Sequence, residues 1–182
     1  STGFKLTFGS TNAVNGSGQT YIYMAIRRPH KPPSAGTEVF KPELLASLTQ
    51  TSTPGFAPDL VWQDPNRSGS YSFFVGSRLT GNGKYLQTAA SSAEGSFTSW
   101  KFDAPTGKFT QSLTTGSTSG GIQHFFKRAP GFFDVVTYTG TGSTKTESHN
   151  LGVAPEMMWV KRRSGAVNWA VYYGDNTDYL SV

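Results

Sequence analysis

Gly152-Val153-Ala154-Pro155-Glu156-Met157-Met158-Trp159 decides the reading of this chain, because Gly55-Phe56-Ala57-Pro58-Asp59-Leu60-Val61-Trp62 has already spelled the same order of residue types. Each stretch runs glycine, an apolar residue, Ala-Pro, a carboxylate, two large apolar residues and tryptophan, at an offset of 97 residues from Pro58 to Pro155. Two further echoes agree. Ile26-Arg27-Arg28-Pro29 resembles Phe126-Lys127-Arg128-Ala129-Pro130, each preceded by a small-residue turn (Gly9-Ser10-Thr11 and Gly116-Ser117-Thr118), and Tyr85-Leu86 returns as Tyr179-Leu180. A period of this length marks serial modules. It places residues 1–53 as the closing part of a preceding β unit with a Pro-rich linker. Residues 54–150 become a central β-sandwich unit, and residues 151–182 the opening strands of a following one, within a longer protein. In the alternative arrangement, the first and last pieces combine into one permuted unit.

Composition supports β modules. Hydrophobic residues are 36% of the 182, which is low, while aromatics reach 14%, so large rings must supply much of the burial. That aromatic content also rules out a disordered chain. The 21 glycines, with serine and threonine between short apolar runs, read as tight turns joining many strands. Cysteine is absent, which excludes disulfides and thiol chemistry. The sequence holds no apolar run long enough to span a membrane, so membrane insertion is not expected. A net charge of +5 spread over the chain is too diffuse for a nucleic-acid stripe.

The strand signals are the apolar run Tyr21–Ile26, Tyr71–Val75 ending in glycine, Phe132–Thr139 rich in β-branched and aromatic residues, Met157–Arg163 passing from apolar to basic, and Asn168–Tyr173 at hairpin distance from it. Pro42-Glu43-Leu44-Leu45-Ala46-Ser47-Leu48 is the best helical turn, with proline suited to a first helical position. His30-Lys31-Pro32-Pro33-Ser34-Ala35-Gly36 reads as an extended linker. The fold class expected is all-β, an antiparallel β-sandwich of lectin-like jelly-roll type in tandem or permuted units.

Chemistry is sparse. His30, His124 and His149 lack metal-ligand spacing, and no carboxylate pair marks glycoside hydrolysis. Asp59 and Glu156 sit at equivalent repeat positions, which points to a structural turn or salt bridge. Gly76–Tyr85 fails the phosphate-loop pattern, since its lysine is misplaced, and reads as a glycine-rich hairpin. Gly174-Asp175-Asn176-Thr177-Asp178 lacks the full calcium ladder. The basic clusters Arg27-Arg28 and Lys161-Arg162-Arg163 read as strand ends or interface pairs. Asn15-Gly16-Ser17 and Asn66-Arg67-Ser68 match the glycosylation sequon, a pattern common by chance. Among the tryptophans, Trp62 and Trp159 are repeat-equivalent and expected in the core, leaving Trp100 and Trp169 as candidate glycan contacts. No catalytic residue, cofactor or metal is expected.

Phe126–Gly142, His149–Met158, Val160–Ser164 and Asn168–Tyr172, with Gly83-Lys84-Tyr85-Leu86 and Ala93-Glu94-Gly95, resemble a repeated domain of bacteriophage tail-fibre-like virion proteins from marine and cyanobacterial phages. The resemblance covers residues from about 54 to 182 well and the first 53 more weakly. It implies a β-rich, lectin-like sandwich with a structural or adhesive role rather than an enzyme. It implies a virion location, with assembly in the bacterial cytoplasm. The partners implied are other virion proteins, further copies of the chain (a trimer, by analogy with fibres) and a host-surface glycan. A carbohydrate-binding module, a capsule-degrading tailspike glycosidase and a capsid decoration protein are the competing readings.

Overall fold

The computed structural model describes residues 3–6, 14–26, 33–64, 73–112, 121–174 and 180–181. In chain order its strands begin with β1 (Gly3–Leu6), β2 (Thr20–Ile26), β3 (Phe40–Leu45), β4 (Thr49–Ser52), β5 (Leu60–Asp64) and β6 (Phe74–Ser77). Next come β7 (Lys84–Gln87), β8 (Gly95–Ser96), β9 (Lys101–Asp103), β10 (Lys108–Ser112) and β11 (Gly121–Phe126). The last are β12 (Phe133–Thr139), β13 (Lys145–Ser148), β14 (Met157–Arg162), β15 (Ala170–Tyr173) and β16 (Leu180–Ser181). Every pairing between them is antiparallel. The protein is an all-β, antiparallel sandwich fold. It divides into two compact units: unit 1 is Ser1–Pro32, Ala90–Ala93 and Ala129–Val182, and unit 2 is Pro33–Ala89 and Glu94–Arg128.

Unit 2 faces a six-stranded sheet, β3-β11-β5-β6-β7-β8, with a three-stranded one, β4-β10-β9. Alternation decides what lies between them. On β11, Gly121, Gln123 and Phe125 are buried while Ile122, His124 and Phe126 point the other way. Val61, Phe74 and Phe125 from one sheet meet Phe102 and Phe109 from the other, and Phe56 and Trp100 complete the cluster. A polar ladder runs through the same interior. Gln63, Gln111 and Gln123 have no exposed surface. The Gln123 amide donates to Gln111 Oε1 at 2.7 Å, and Ser52 Oγ donates to Gln123 Oε1 at 3.1 Å. Replacing Gln123 by leucine strands its partners in an apolar interior. The expected loss is about 1–3 kcal/mol, read as a lower urea midpoint.

Unit 1 combines the five-stranded sheet β12-β2-β14-β15-β16 with the two-stranded sheet β1-β13. Its core is built on tyrosines. Tyr21 stacks on Tyr138 with ring centroids 5.1 Å apart, and Tyr23 packs beside them with Val14, Leu151, Met158 and Val160. Two of the hydroxyls are engaged internally: Tyr138 donates to Val14 O at 2.8 Å, and Tyr21 Oη accepts from Gly16 N–H at 2.7 Å.

The two units share one plan. In unit 2, β11 lies between β3 and β5, with Phe126 opposite both Phe40 and Leu60. In unit 1, β2 lies between β12 and β14, with Ile26 opposite both Phe133 and Met157. These pairs correspond, at separations of 93 residues from Phe40 to Phe133, 97 from Leu60 to Met157 and 100 from Ile26 to Phe126. β4 pairs with β10 as β13 pairs with β1. The bond from Arg78 N–H to Asp59 O (2.9 Å) recurs as Gly174 N–H to Glu156 O (2.8 Å). Strands β2, β12 and β14 fall in the successive sequence segments 1–53, 54–150 and 151–182, yet lie side by side in one sheet. Residues 1–32 of the first segment share a unit with the last segment and with residues 129–150, whereas residues 33–53 belong to the other unit. Neither β2 nor β11 pairs with the strand that follows it in the chain.

One local expectation is overturned. Pro42–Leu48 is not a helical turn: β3 runs through Leu45, and the chain then bends at Ala46–Leu48. Pro42 is tolerated because β3 is an edge strand with one free side. The Gln50 side chain accepts Ala46 N–H at 3.0 Å, closing the bend before β4. The hairpin expected at Gly76–Tyr85 forms from β6 and β7, joined by a single 3-10 turn, Arg78–Thr80, which Ser77 Oγ caps by accepting Leu79 N–H. Of the expected linker, Pro33–Gly36 bends into a 3-10 turn at Gly36–Glu38, while His30–Pro32 lie outside the described residues, as do Tyr71 and Ser72.

Candidate functional site

The alternation that buries Val61, Gln63 and Phe125 in unit 2 sends Trp62, Asp64, Ile122, His124 and Phe126 to the opposite face of the same sheet. Register then assembles them. His124 stands opposite Trp62 and Pro42, Phe126 opposite Phe40, and Ile122 opposite Asp64 and Leu44. With Phe73 these side chains line a groove of about 350 Å³. Phe40 lies 5.0 Å from Phe126 and 6.0 Å from His124, nearly parallel to the imidazole, and Trp62 tilts against His124 at 6.3 Å. Leu44 (61% exposed) and Ile122 (40% exposed) extend the apolar surface at the rim. Ring faces of this kind accept a flat apolar ligand surface, and the Asp64 carboxylate and His124 imidazole add polar contacts that could orient it.

The tryptophans reverse the expectation for glycan contact. Trp100 is wholly buried and Trp169 only 3% exposed, so neither offers a ring face to a sugar. Trp100 fills the centre of the aromatic cluster, and Trp169 meets Trp159 edge to face at 6.0 Å. Trp62 and Trp159, expected in the core, are half-buried. Repeat equivalence marks a position along a strand, and the period-2 alternation decides which face that position occupies. Trp62 therefore lies in the groove.

Asp59 is a brace, as its repeat position implies. It is 6% exposed, and its carboxylate takes Arg78 Nε at 3.0 Å and Arg128 N–H at 2.8 Å. Its counterpart Glu156 is exposed. His149 is buried, with Nδ1 accepting Leu151 N–H; burial lowers its pKa, partly opposed by Asp134. Asn15 has no exposed surface, and its amide binds Ser143 O and Thr141 N–H, which closes that sequon. His30, Arg27, Arg28, Asn66 and the calcium-like segment Asp175–Asp178 lie outside the described residues. Among the described residues no three His, Asp or Glu side chains converge as a metal site.

Lys161 was legible only as part of a basic strand end. It is fully buried, with Nζ donating to Ser91 O at 2.9 Å and Val167 O at 2.6 Å. Desolvation first, and the neighbouring Arg162 charge second, lower its pKa from 10.5 to about 8. Between those values the unfolded chain holds more protons than the folded one, so stability rises with pH from about 8 to about 10.5. The expected gain is on the order of 3 kcal/mol. Urea midpoints measured across that window should climb in the native chain and stay flatter in Lys161→Met.

Residues 96–180 match the family described as Domain of unknown function (DUF7483). No curated protein and no solved structure matches the chain. The matched segment begins at the end of β8, and it is shared between the units: β9–β11 belong to unit 2 and β12–β16 to unit 1.

Proposed function

We propose that this chain is a structural and adhesive component of a bacteriophage virion, a tail fibre or related appendage that contributes to host attachment. The observation that supports this reading is the run of motifs from Phe126 to Tyr172 that resembles repeated domains of tail-fibre-like proteins, lying inside residues 96–180. Two sandwich units without disulfides suit a scaffold whose strength comes from sheet hydrogen bonds and aromatic packing. Immunogold labelling of purified particles tests the location. Label on the tail or its appendages is the expected result, and particles free of the chain overturn the reading.

The groove favours a more specific role as a glycan contact, in place of Trp100 and Trp169. A ring-lined site of moderate affinity suffices where many copies act together. Replacing Trp62 by alanine is expected to weaken binding of the purified protein to host cells at least tenfold while the urea midpoint moves little, because Trp62 lies on the outward face. Unchanged cell binding in Trp62→Ala would remove the groove from the attachment surface.

A further inference from the structure

We infer that the strand closing each unit is exchangeable, and that a second copy of this chain is a natural donor of it. The inference does not depend on the virion reading. The echo makes β2 the counterpart of β11 and β5 that of β14, and the order of strands along the chain then makes β3 the counterpart of β12 and β6 that of β15. Counting one repeat from β2 and the next from β11, strands kept within a repeat would place β2 between β3 and β5, and β11 between β12 and β14. The observed pairing is crossed: β2 lies between β12 and β14, and β11 between β3 and β5. The two repeats have traded closing strands reciprocally.

The two strands take equivalent places, while their inward residues fit each to its own slot: Tyr21 and Tyr23 in the tyrosine core of unit 1, Gln123 and Phe125 in unit 2, so the β2 of another copy fits the unit 1 slot as the chain's own does. Ile26 and Phe126 take the same place opposite Met157 and Leu60. The connection from β2 to β3 carries Pro29, Pro32 and Pro33, residues that favour an extended path over a tight return. The connection from β11 to β12 is the six residues 127–132, with Pro130 among them. Once a unit accepts its closing strand from elsewhere in the chain, the same slot accepts it from another molecule. The pairs formed are identical, so concentration and the reach of the connection decide the outcome. Exchange between copies yields assemblies held by central strands of a sheet, not by surface contact. A second molecule placing its β2 between β12 and β14 is the interface proposed.

The chain has no cysteine, so introduced thiols report cleanly. Thr20 and Thr139 are opposite each other at the ends of β2 and β12, and neither is buried. One full-length variant carries Thr20→Cys, and an isotope-labelled second carries Thr139→Cys. They are either unfolded and refolded together at high concentration or mixed after folding, then oxidised. Peptide mapping counts the mixed disulfide that joins a labelled chain to an unlabelled one. Exchange between copies predicts at least tenfold more of it after joint refolding. Equal yields in the two arms, whether low or high, overturn the inference: low yields mean the strand stays in its own chain, and high yields mean mere surface encounter. Circular dichroism of each single variant establishes that both fold.

Discussion

Replacing Trp100 by alanine is expected to destabilise unit 2 by about 3–5 kcal/mol, since it is the largest fully buried side chain among the described residues. Trp100 has no exposed surface. Its ring meets Phe109 at 5.6 Å and Phe74 at 6.5 Å in edge-on geometry, and Phe97 at 5.3 Å. Those partners come from both sheets and the loop between them, so little can relax into the hole. Its indole N–H meets no acceptor among the described residues, so Trp100→Phe gives up ring area without stranding a partner. That conservative change is expected to lose about 1–2 kcal/mol. Urea denaturation of the three proteins checks the order. A Trp100→Ala loss below about 1 kcal/mol would mean the cluster is not the core of the unit.

Gly76→Ala is expected to be nearly as damaging, for the opposite reason. A Cβ at this position would stand 2.7 Å from Trp100 Cζ3 and 2.8 Å from the Lys84 carbonyl oxygen. Glycine is needed on β6 so that the indole can approach the strand this closely. Neither obstacle is the loose end of a flexible side chain, so the sheet or the ring must move, at about 2–4 kcal/mol. The two sites must therefore couple. In a Trp100→Ala background the ring clash is gone and only the Lys84 contact remains. The added loss from Gly76→Ala should shrink by about 1 kcal/mol or more. Strict additivity in this double-mutant cycle would contradict the packing described.

Much of the sheet framework could be read directly. Tyr21–Ile26, Phe132–Thr139 and Met157–Arg163 announce β2, β12 and β14 through short runs of large apolar residues bounded by turn residues, to within a residue. β3 was hidden because Phe40, Pro42 and Leu44 alternate with charged residues, while Pro42 followed by Leu44-Leu45 imitates a helix start. The groove was hidden for a related reason. Only pairing brings Phe40, Trp62 and His124 together, from positions up to 84 residues apart in the chain. The glutamine ladder is likewise invisible, since nothing local distinguishes a buried Gln123 from an exposed one. The echo was plain, but which sheet each closing strand enters was not. Tyr21 and Tyr23 suit the tyrosine core of unit 1 and Gln123 the glutamine ladder of unit 2, a preference that becomes visible only once those cores are known.

That choice of partner is what most needs direct measurement. Two full-length double variants settle it at low protein concentration, where copies do not meet. Thr20→Cys with Thr139→Cys places thiols on strands paired in the exchanged fold. Thr20→Cys with Ala46→Cys places them where the repeat register would bring them together if β2 stayed beside β3. Disulfides form only when the strands are neighbours, with Cα atoms about 4.4–6.8 Å apart. Reciprocal exchange predicts rapid closure within one chain for the first variant and none for the second; closure of the second alone contradicts it.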